Sequence, residues 1–581
     1  MAVFNHQEIT FITKTNDTLK HESITLEKLG EVSEYKISIE LENEQSPSEY
    51  VIEFAFPQVD VLGFWSPNAL FEKNIRPDWG MRVQNGRTAS GMPLATLFNK
   101  QDENRLTIAL SDPATSTKIE VGNVEETGCA LVRLTIFSAL SPKMKSYSAT
   151  LRLDTRNIKM VDAIMSAREW WSDIGYKCAH VPENAKMPMY STWYSFHQHT
   201  IPDEILYECK IAKEYGMDTV IVDDGWQTED NSRGYAFCGD WKVSKKKIPD
   251  MKKFVDSVHD LGMKFVLWFS VPFVGFESEN FEKFKGMYLK TRMSSKTCVL
   301  DPRFKEVRDF LVNIYKRFAT EYGIDGFKLD FIDSFSLSEE SSTDYEKMDC
   351  ISVEEGVEKL LFEVKSELLK INPEILIEFR QSYIGPIVGK YGNFFRATDC
   401  PCDALMNKEA TISLRMTSGK IPVHSDMIMW HENDTVRNVV CQLYGTLFAV
   451  PQISVRFDKI TTEHKKLLKA YLKFWREHKD ALVDGKIDVK NVEAGYSYVT
   501  SQNDKECVGA LYQGVVATLG DCKENYICNA TADAQIYIEL DSECDVDIVS
   551  EFGEALGNVT LDKGIHKISV PVGGYAKVVK K

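Results

Sequence analysis

Three stretches of this chain end in acidic side chains that packing alone would not select. Thr219-Val220-Ile221-Val222 is an apolar, β-branched run that stops at Asp223-Asp224-Gly225-Trp226-Gln227. Gly326-Phe327-Lys328-Leu329-Asp330-Phe331 and Asn393-Phe394-Phe395-Arg396-Ala397-Thr398-Asp399 repeat the theme. Such runs read as parallel strands covered on both faces, and desolvating a carboxylate at their ends is costly. Charged groups gathered at the C-terminal ends of several parallel strands are how a (β/α)₈ barrel builds an active site. Two carboxylates facing one pocket, Asp330 and Asp399, are the equipment for glycoside hydrolysis. One attacks the anomeric carbon, and the other protonates the leaving oxygen and then activates water. Lys328 shares the strand parity of Asp330, where it can bond a sugar hydroxyl and keep Asp330 ionised; the plainer reading is a buried ion pair of structural value. Asp223 and Asp224 accept only when ionised and would take two hydroxyls of one sugar. Their plainer reading, a helix N-cap, is weakened by Gly225 and Trp226. Trp193, Trp241 and Trp268 fall at or near strand ends, where aromatic faces serve as sugar platforms, although singly each is more often core.

The elements that must position these residues are legible in outline. Residues 1–160 alternate apolar and polar side chains, as in 35–41, 131–136 and 150–153, with turn clusters between them. They predict an N-terminal β-sandwich. Over 161–484 strand-like runs alternate with helical ones, which predicts a parallel sheet closed as a (β/α)₈ barrel. Its strands are expected at 189–194, 218–223, 264–269, 326–331, 374–379 and 393–398, with weaker ones at 421–424 and 452–455. Val307, Phe310, Leu311, Ile314 and Phe318 form one helical face, opened by Asp301-Pro302, and Leu467, Leu468, Tyr471, Leu472 and Trp475 form another. From 485 to 581 alternation returns, as in 536–540 and 567–570, and predicts a C-terminal antiparallel β domain.

At 581 residues the chain is too long for one ordinary core. A formal charge of -17 argues against a nucleic-acid or anionic membrane partner and fits a solvated surface and a neutral or cationic ligand, with a homo-oligomer left open. No run is apolar enough to span a bilayer. The first twenty residues show no basic and then apolar segments, so no secretory signal is expected, and 13 cysteines without framework spacing then read as reduced thiols in the cytoplasm. Cys400-Pro401-Cys402 has no second Cys or His pair at zinc-site spacing.

Taken in order, Asp223-Asp224-Gly225-Trp226-Gln227, Gly239-Asp240-Trp241, 261–268 with its Trp268, Leu300-Asp301-Pro302 and Phe327-Lys328-Leu329-Asp330 resemble the α-galactosidases of glycoside hydrolase family thirty-six, in clan D. The resemblance covers roughly residues 185–405. It implies a retaining exo-hydrolase of terminal α-galactosides such as melibiose and raffinose, without metal or organic cofactor. By that resemblance Asp330 is the nucleophile and Asp399, following Arg396, the acid/base, with Asp403 the second candidate for that role. Asp223 and Asp224 hold the galactose 4- and 6-hydroxyls, Lys328 bonds O3 and O4, and Trp268 is a pocket wall. The sequence departs from the family after the fifth strand, where Arg380 and Gln381 stand in place of small residues lining the sugar C2. Arg380 therefore either excludes a 2-acetamido group or reads an anionic or otherwise modified sugar.

Two relatives of this chemistry stay open. A glycosyltransferring member, of raffinose-synthase type, would share the covalent intermediate, and an N-acetylgalactosaminidase would share the pocket. Of another class, an amidohydrolase barrel would use His197-Gln198-His199 after the first strand together with Lys328, but the fifth and sixth strands offer Arg380 and Asp399 in place of histidines. A sugar-binding protein without activity would have no use for two opposed carboxylates.

Overall fold

The computed structural model describes residues 1–6 and 9–581. Two sheets occupy the N-terminal part. One has the strands Ala2–His6, Ile9–Lys14, Tyr50–Pro57, Cys129–Ile136, Thr117–Val124, Arg82–Arg87 and Ser90–Gly91 side by side. The other runs from Leu19–Lys28 through Val32–Gln45, Met144–Asp154, Asn104–Leu110 and Leu94–Phe98 to Gly63–Trp65. Alternation along each strand sends one face inward, and Phe11, Ile37, Ile52, Leu106, Ile119, Val132 and Leu151 fill the space between the sheets.

Eight parallel strands then wrap into a nearly closed barrel. They are Met189–Ser191, Thr219–Val222, Lys264–Ser270, Gly326–Asp330, Leu376–Arg380, Phe394–Arg396, Val423–His424 and Gln452–Ile453, and the last pairs with the first. The gap between the seventh and eighth is bridged by single parallel contacts, His424 with Val450 and Ile428 with Ile453. All eight expected strands are present, several of them shorter than expected. In the first, Trp193 and Tyr194 leave the strand for a helical turn, Trp193–Phe196, so these aromatics lie over the barrel mouth instead of along its wall.

The helices pack on the barrel through the apolar faces read from the sequence. In Lys305–Tyr322 the side chains of Val307, Leu311, Ile314 and Phe318 are buried, and in Thr462–Glu477 those of Leu467, Leu468, Tyr471, Leu472 and Trp475. Asp301-Pro302 does not open the first of these helices. Phe304 is its N-cap residue, because the Asp301 carboxylate is spent on the buried guanidinium of Arg303, at 2.7 Å. An unforeseen three-stranded antiparallel sheet, Phe273–Gly275, Thr297–Leu300 and Tyr288–Arg292, is inserted after the third barrel strand.

The C-terminal part has a seven-stranded and a three-stranded sheet around Ile527, Ile538, Val546 and Val578. It is mixed, not purely antiparallel: Glu506–Leu511 runs parallel to Glu524–Asn529, and Val516–Thr518 parallel to Gln535–Leu540. One apolar core passes from Trp65 and Phe98 of the N-terminal sheets through the barrel to Val489 and Val508. Among the described residues no helix is long and apolar enough to cross a membrane.

Candidate active site

The second and fourth barrel strands bring Asp223, Asp224, Lys328 and Asp330 to one end of the barrel. Lys328 and Asp330 point inward by the two-residue period of the strand. The Lys328 ammonium reaches the Asp223 carboxylate at 2.6 Å, with both side chains buried. That attraction holds the ammonium charged against its own burial. The second Asp223 oxygen accepts the Asp224 backbone N–H at 2.9 Å. Asp224 accepts the side-chain amides of Gln198, at 2.7 Å, and Gln227, at 2.6 Å, one on each oxygen. Burial nevertheless pushes the Asp224 carboxyl up to about 6. Neither aspartate is a helix cap. A carboxylate has about four acceptor positions, so each keeps spare lone pairs for hydroxyl donors.

Asp330 is held asymmetrically. Its Oδ1 accepts Arg380 Nε at 2.7 Å, the Tyr383 hydroxyl at 2.9 Å and the Phe331 N–H at 2.7 Å. Its Oδ2 accepts one donor, Trp268 Nε1 at 3.1 Å. Burial alone would raise this carboxyl, but the charges of Arg380 and Lys328 hold it far below the usual carboxylate range. The result is a permanently ionised group with one crowded oxygen and one oxygen with lone pairs to spare.

Asp399 stands just beyond the sixth strand, half exposed, with Arg396 at 2.9 Å. Arg396 is enclosed; besides Asp399 it contacts Glu378 at 3.3 Å and the buried Asp426 carboxylate. Expected against a substrate, Arg396 has 1% of its side chain exposed and holds the half-exposed Asp399 from behind. Against its burial, Arg396 and Arg380 draw the Asp399 carboxyl below its ordinary value, while burial and the Asp399 charge raise Asp426. Asp403 is occupied elsewhere, capping the helix Ala404–Thr417 through the Met406 N–H at 2.9 Å.

The tryptophans divide. Trp268 reaches Asp330 and lies stacked near Tyr235, with centroids 6.3 Å apart. Trp193 is half-buried, edge-on to His197 and beneath the Arg233 guanidinium. Trp241 is 1% exposed, stacks on the equally enclosed Trp226 and meets Trp268 edge-on, so it supports Trp268 from behind. His197 and His199 do not converge with other ligands: among the described residues no group of three or more His, Cys, Asp or Glu side chains has metal-holding geometry. All thirteen cysteines are free thiols, with Cys400 buried and Cys402 exposed.

Sequence reasoning missed Tyr383, Gln198, Glu378 and Asp426. Asp426 follows a two-residue strand, Val423–His424, too short to show a period, and it also accepts the Tyr194 hydroxyl at 2.9 Å and the Cys400 N–H at 2.7 Å. Tyr383 lies past the fifth strand in an irregular turn, with no pattern to mark it.

Residues 184–385 match the family model for melibiase. The chain is 35% identical over 152 residues to the α-galactosidase Mel36A of Lactobacillus acidophilus, which covers 24% of this chain and 19% of that protein. It is 28% identical over 130 residues to the α-galactosidase AgaA of Geobacillus stearothermophilus, 21% of this chain and 17% of that one. The matched segments thus span less than a fifth of either relative's length. In structure the likeness is wider. The crystal structure of AgaA, a GH36 α-galactosidase, superposes with a TM-score of 0.66 over 97% of this chain and 87% of that chain, at 14% identity. A variant of AgaA in complex with raffinose superposes equally well, at 0.66 over 100% of this chain and 84% of that one, also at 14% identity. At that identity the likeness is one of fold.

Proposed function

We propose that the chain is a melibiase-type glycoside hydrolase of family thirty-six, as the match of residues 184–385 and the likeness of fold support, and that it removes terminal α-linked galactose from small oligosaccharides by a retaining double displacement. The observation that carries this reading is the asymmetric carboxylate of Asp330, ionised by Arg380 and Lys328 and facing the same barrel end as the Asp223-Asp224 pair. Asp330 Oδ2, with one donor against three on Oδ1, is the oxygen free to attack the anomeric carbon. Asp223 and Asp224 accept the sugar hydroxyls on their spare lone pairs, and the Lys328 ammonium donates to a neighbouring hydroxyl oxygen. Arg380 closes onto Asp330 at the side where C2 of the sugar would lie, so a 2-acetamido group is disfavoured. Raffinose and stachyose, bound in the AgaA structures, are the substrate class to try first.

Asp399 is the acid/base. A general acid needs a raised pKa, and Arg396 acts in the opposite direction. In the open pocket Asp399 is therefore poised as a base. A bound sugar excludes the water that half-exposes it, and that desolvation raises its carboxyl toward the protonated form. Neither half-reaction calls for a metal or an organic cofactor.

The test is turnover of nitrophenyl α-glycosides combined with azide rescue. The α-galactoside should exceed the α-glucoside in kcat/KM by roughly thousands-fold, because an equatorial 4-hydroxyl leaves a desolvated carboxylate unpaired. Asp330→Gly should be inactive and give the β-galactosyl azide on rescue, and Asp399→Gly should give the α-azide. Equal turnover of galactoside and glucoside overturns the sugar assignment, and reversed anomers exchange the two roles.

A further inference from the structure

The loop that follows Asp330 gathers three cations whose hydrogen bonds all go to neutral oxygens. Arg87 comes from the N-terminal strand Arg82–Arg87 and donates to the backbone carbonyls of Asp333 and Phe335. Lys290 and Arg292 come from the inserted strand Tyr288–Arg292. Lys290 donates to the Ser336 hydroxyl at 2.6 Å and Arg292 to the Ser334 hydroxyl at 3.2 Å. Each is anchored through a neutral oxygen, and none of the three forms an ion pair among the described residues. The contrast with the pocket below is sharp, since Lys328, Arg380 and Arg396 all lie against carboxylates. It is sharper in a chain of net charge -17, in which chance alone supplies acidic neighbours.

The nearest acids act on this cluster only through space, Asp333 and Glu354 on Arg87 and Asp333 on Lys290, without forming an ion pair among the described residues. Asp333 accepts the Ser382 hydroxyl at 3.2 Å, and Glu340 accepts the Thr291 N–H at 2.9 Å. Burial pushes the carboxyls of both Asp333 and Glu354 up from the usual range, against the pull of Arg87. Lys290 is shifted the other way: burial, then Arg87 and Arg292, draw its ammonium down. A cation destabilised by its cationic neighbours marks a place where an anion would be favourable.

The cluster adjoins the reaction centre. Arg380, on Asp330, lies over the Phe331 ring at 5.4 Å; Phe331 packs against Phe273 at 4.8 Å; and the Arg292 guanidinium lies over Phe273 at 5.0 Å. An aromatic floor thus runs from the arginine on Asp330 outward to Arg292. The cations hold residues 333–336, beyond the strand end, whereas the sugar-holding carboxylates of Asp223 and Asp224 are enclosed in the barrel. The N-terminal hairpin is fixed over this side by Gly91 N–H to the Ser382 carbonyl at 2.7 Å and by Ser90 to Ser382 between hydroxyls at 3.0 Å.

We propose that Arg87, Lys290 and Arg292 form a subsite for an anionic group on the leaving-group side of the substrate, and that a phosphate monoester fits it best. Two guanidinium groups and one ammonium, reaching in from two strands, match the three terminal oxygens of a phosphate better than the two of a carboxylate. The proposal rests on the α-galactosidase reading, which supplies the bond to be cleaved.

The experiment compares kcat/KM for melibiose, melibiose phosphorylated on its glucose unit, and the aldonic acid of melibiose, with nitrophenyl α-galactoside as a neutral reference. The phosphorylated substrate should be preferred over melibiose by roughly tenfold or more, as expected for charge-assisted hydrogen bonds, and the preference should shrink with added salt. Lys290→Gln and Arg292→Gln should lower the ratio of charged to neutral turnover, a quantity that each protein preparation measures against itself. Inorganic phosphate should raise the melting temperature of the wild type above that in sodium chloride of equal ionic strength, and less in the variants. This readout does not depend on activity. A preference for the aldonic acid alone would place a carboxylate in the subsite and overturn the phosphate assignment. A phosphorylated-to-neutral ratio near one would overturn the subsite whatever phosphate does to melting. Failure to cleave nitrophenyl α-galactoside would overturn the enzymatic reading separately.

Discussion

Replacing Arg380 by glutamine removes the charge that lies closest to Asp330 and also acts on Asp399. The ion pair is 2.7 Å long, with 13% and 10% of the two side chains exposed, so solvent screens it little. An arginine at this range lowers an aspartate by about one to three pKa units, and Arg380→Gln should return that amount to Asp330. Asp399 has no direct contact with Arg380 and keeps Arg396 at 2.9 Å, so its rise should stay under about one unit. In the pH profile of kcat/KM the acid limb reports the nucleophile and the basic limb the acid. Both limbs should move to higher pH, the acid limb further, and the active range should narrow from below. Stability should follow the same charge. A carboxyl lowered on folding contributes stability above its unfolded pKa and loses it as pH falls through its folded one. Breaking the pair should therefore cost about 3–5 kcal/mol near neutrality and progressively less toward acid pH. Arg380→Lys, which restores the charge without the planar fork, should recover part of both effects. A folded Arg380→Gln protein whose acid limb stays in place would refute the reasoning, because either Asp330 or its arginine would then not set that limb.

Two further perturbations follow from the charges in the fold. Asp224, raised to about 6 by burial, should contribute stability that is full below about pH 4 and lost as pH rises to its folded value, a change on the order of 3 kcal/mol. Asp224→Asn should abolish that dependence, so melting temperatures of variant and wild type, compared from pH 4 to pH 7, should shift in the variant's favour; a constant difference would contradict the assignment. Between the N-terminal sheets and the barrel helix Ala404–Thr417, Lys73 and Glu409 form a buried ion pair with side-chain exposures of 3% and 0%. Lys73→Met should cost about 3–5 kcal/mol in urea unfolding by stranding Glu409, and Lys73→Met with Glu409→Leu should recover most of it.

The parts of this site that were legible in the sequence are those that obey a local period. Val220, Ile221 and Val222 announce a strand buried on both faces, so the two aspartates after it stand out. Lys328 and Asp330 are two residues apart, which places them on one side of a strand before any coordinates are known. The first six barrel strands were visible for the same reason, and the last two only weakly, because no more than Val423–His424 and Gln452–Ile453 of them pair in the barrel. What escaped is set by closure. Asp426 joins the site because Arg396, thirty residues earlier on the neighbouring strand, reaches it across the barrel interior. Trp241 stood out by its place near a strand end, which says nothing of the Trp226 face that packs on it. Asp301 looked like a helix start because the sequence does not show that Arg303 turns back to claim its carboxylate.

The same distinction explains why an acidic protein can keep cations at its site. Three basic groups at the strand ends are matched at short range: Lys328 by Asp223, Arg380 by Asp330, Arg396 by Asp399, Glu378 and Asp426. Desolvation makes an unmatched charge there too costly to retain, so the pairing fixes which carboxylates are ionised before a sugar arrives. Asp330 and Asp399 differ because one is clamped on its crowded oxygen inside the wall, while the other meets water on its open side. Covering the pocket changes little for the first and much for the second. On the proposed reading, that difference is what would let two aspartates with the same intrinsic chemistry divide the labour of nucleophile and acid.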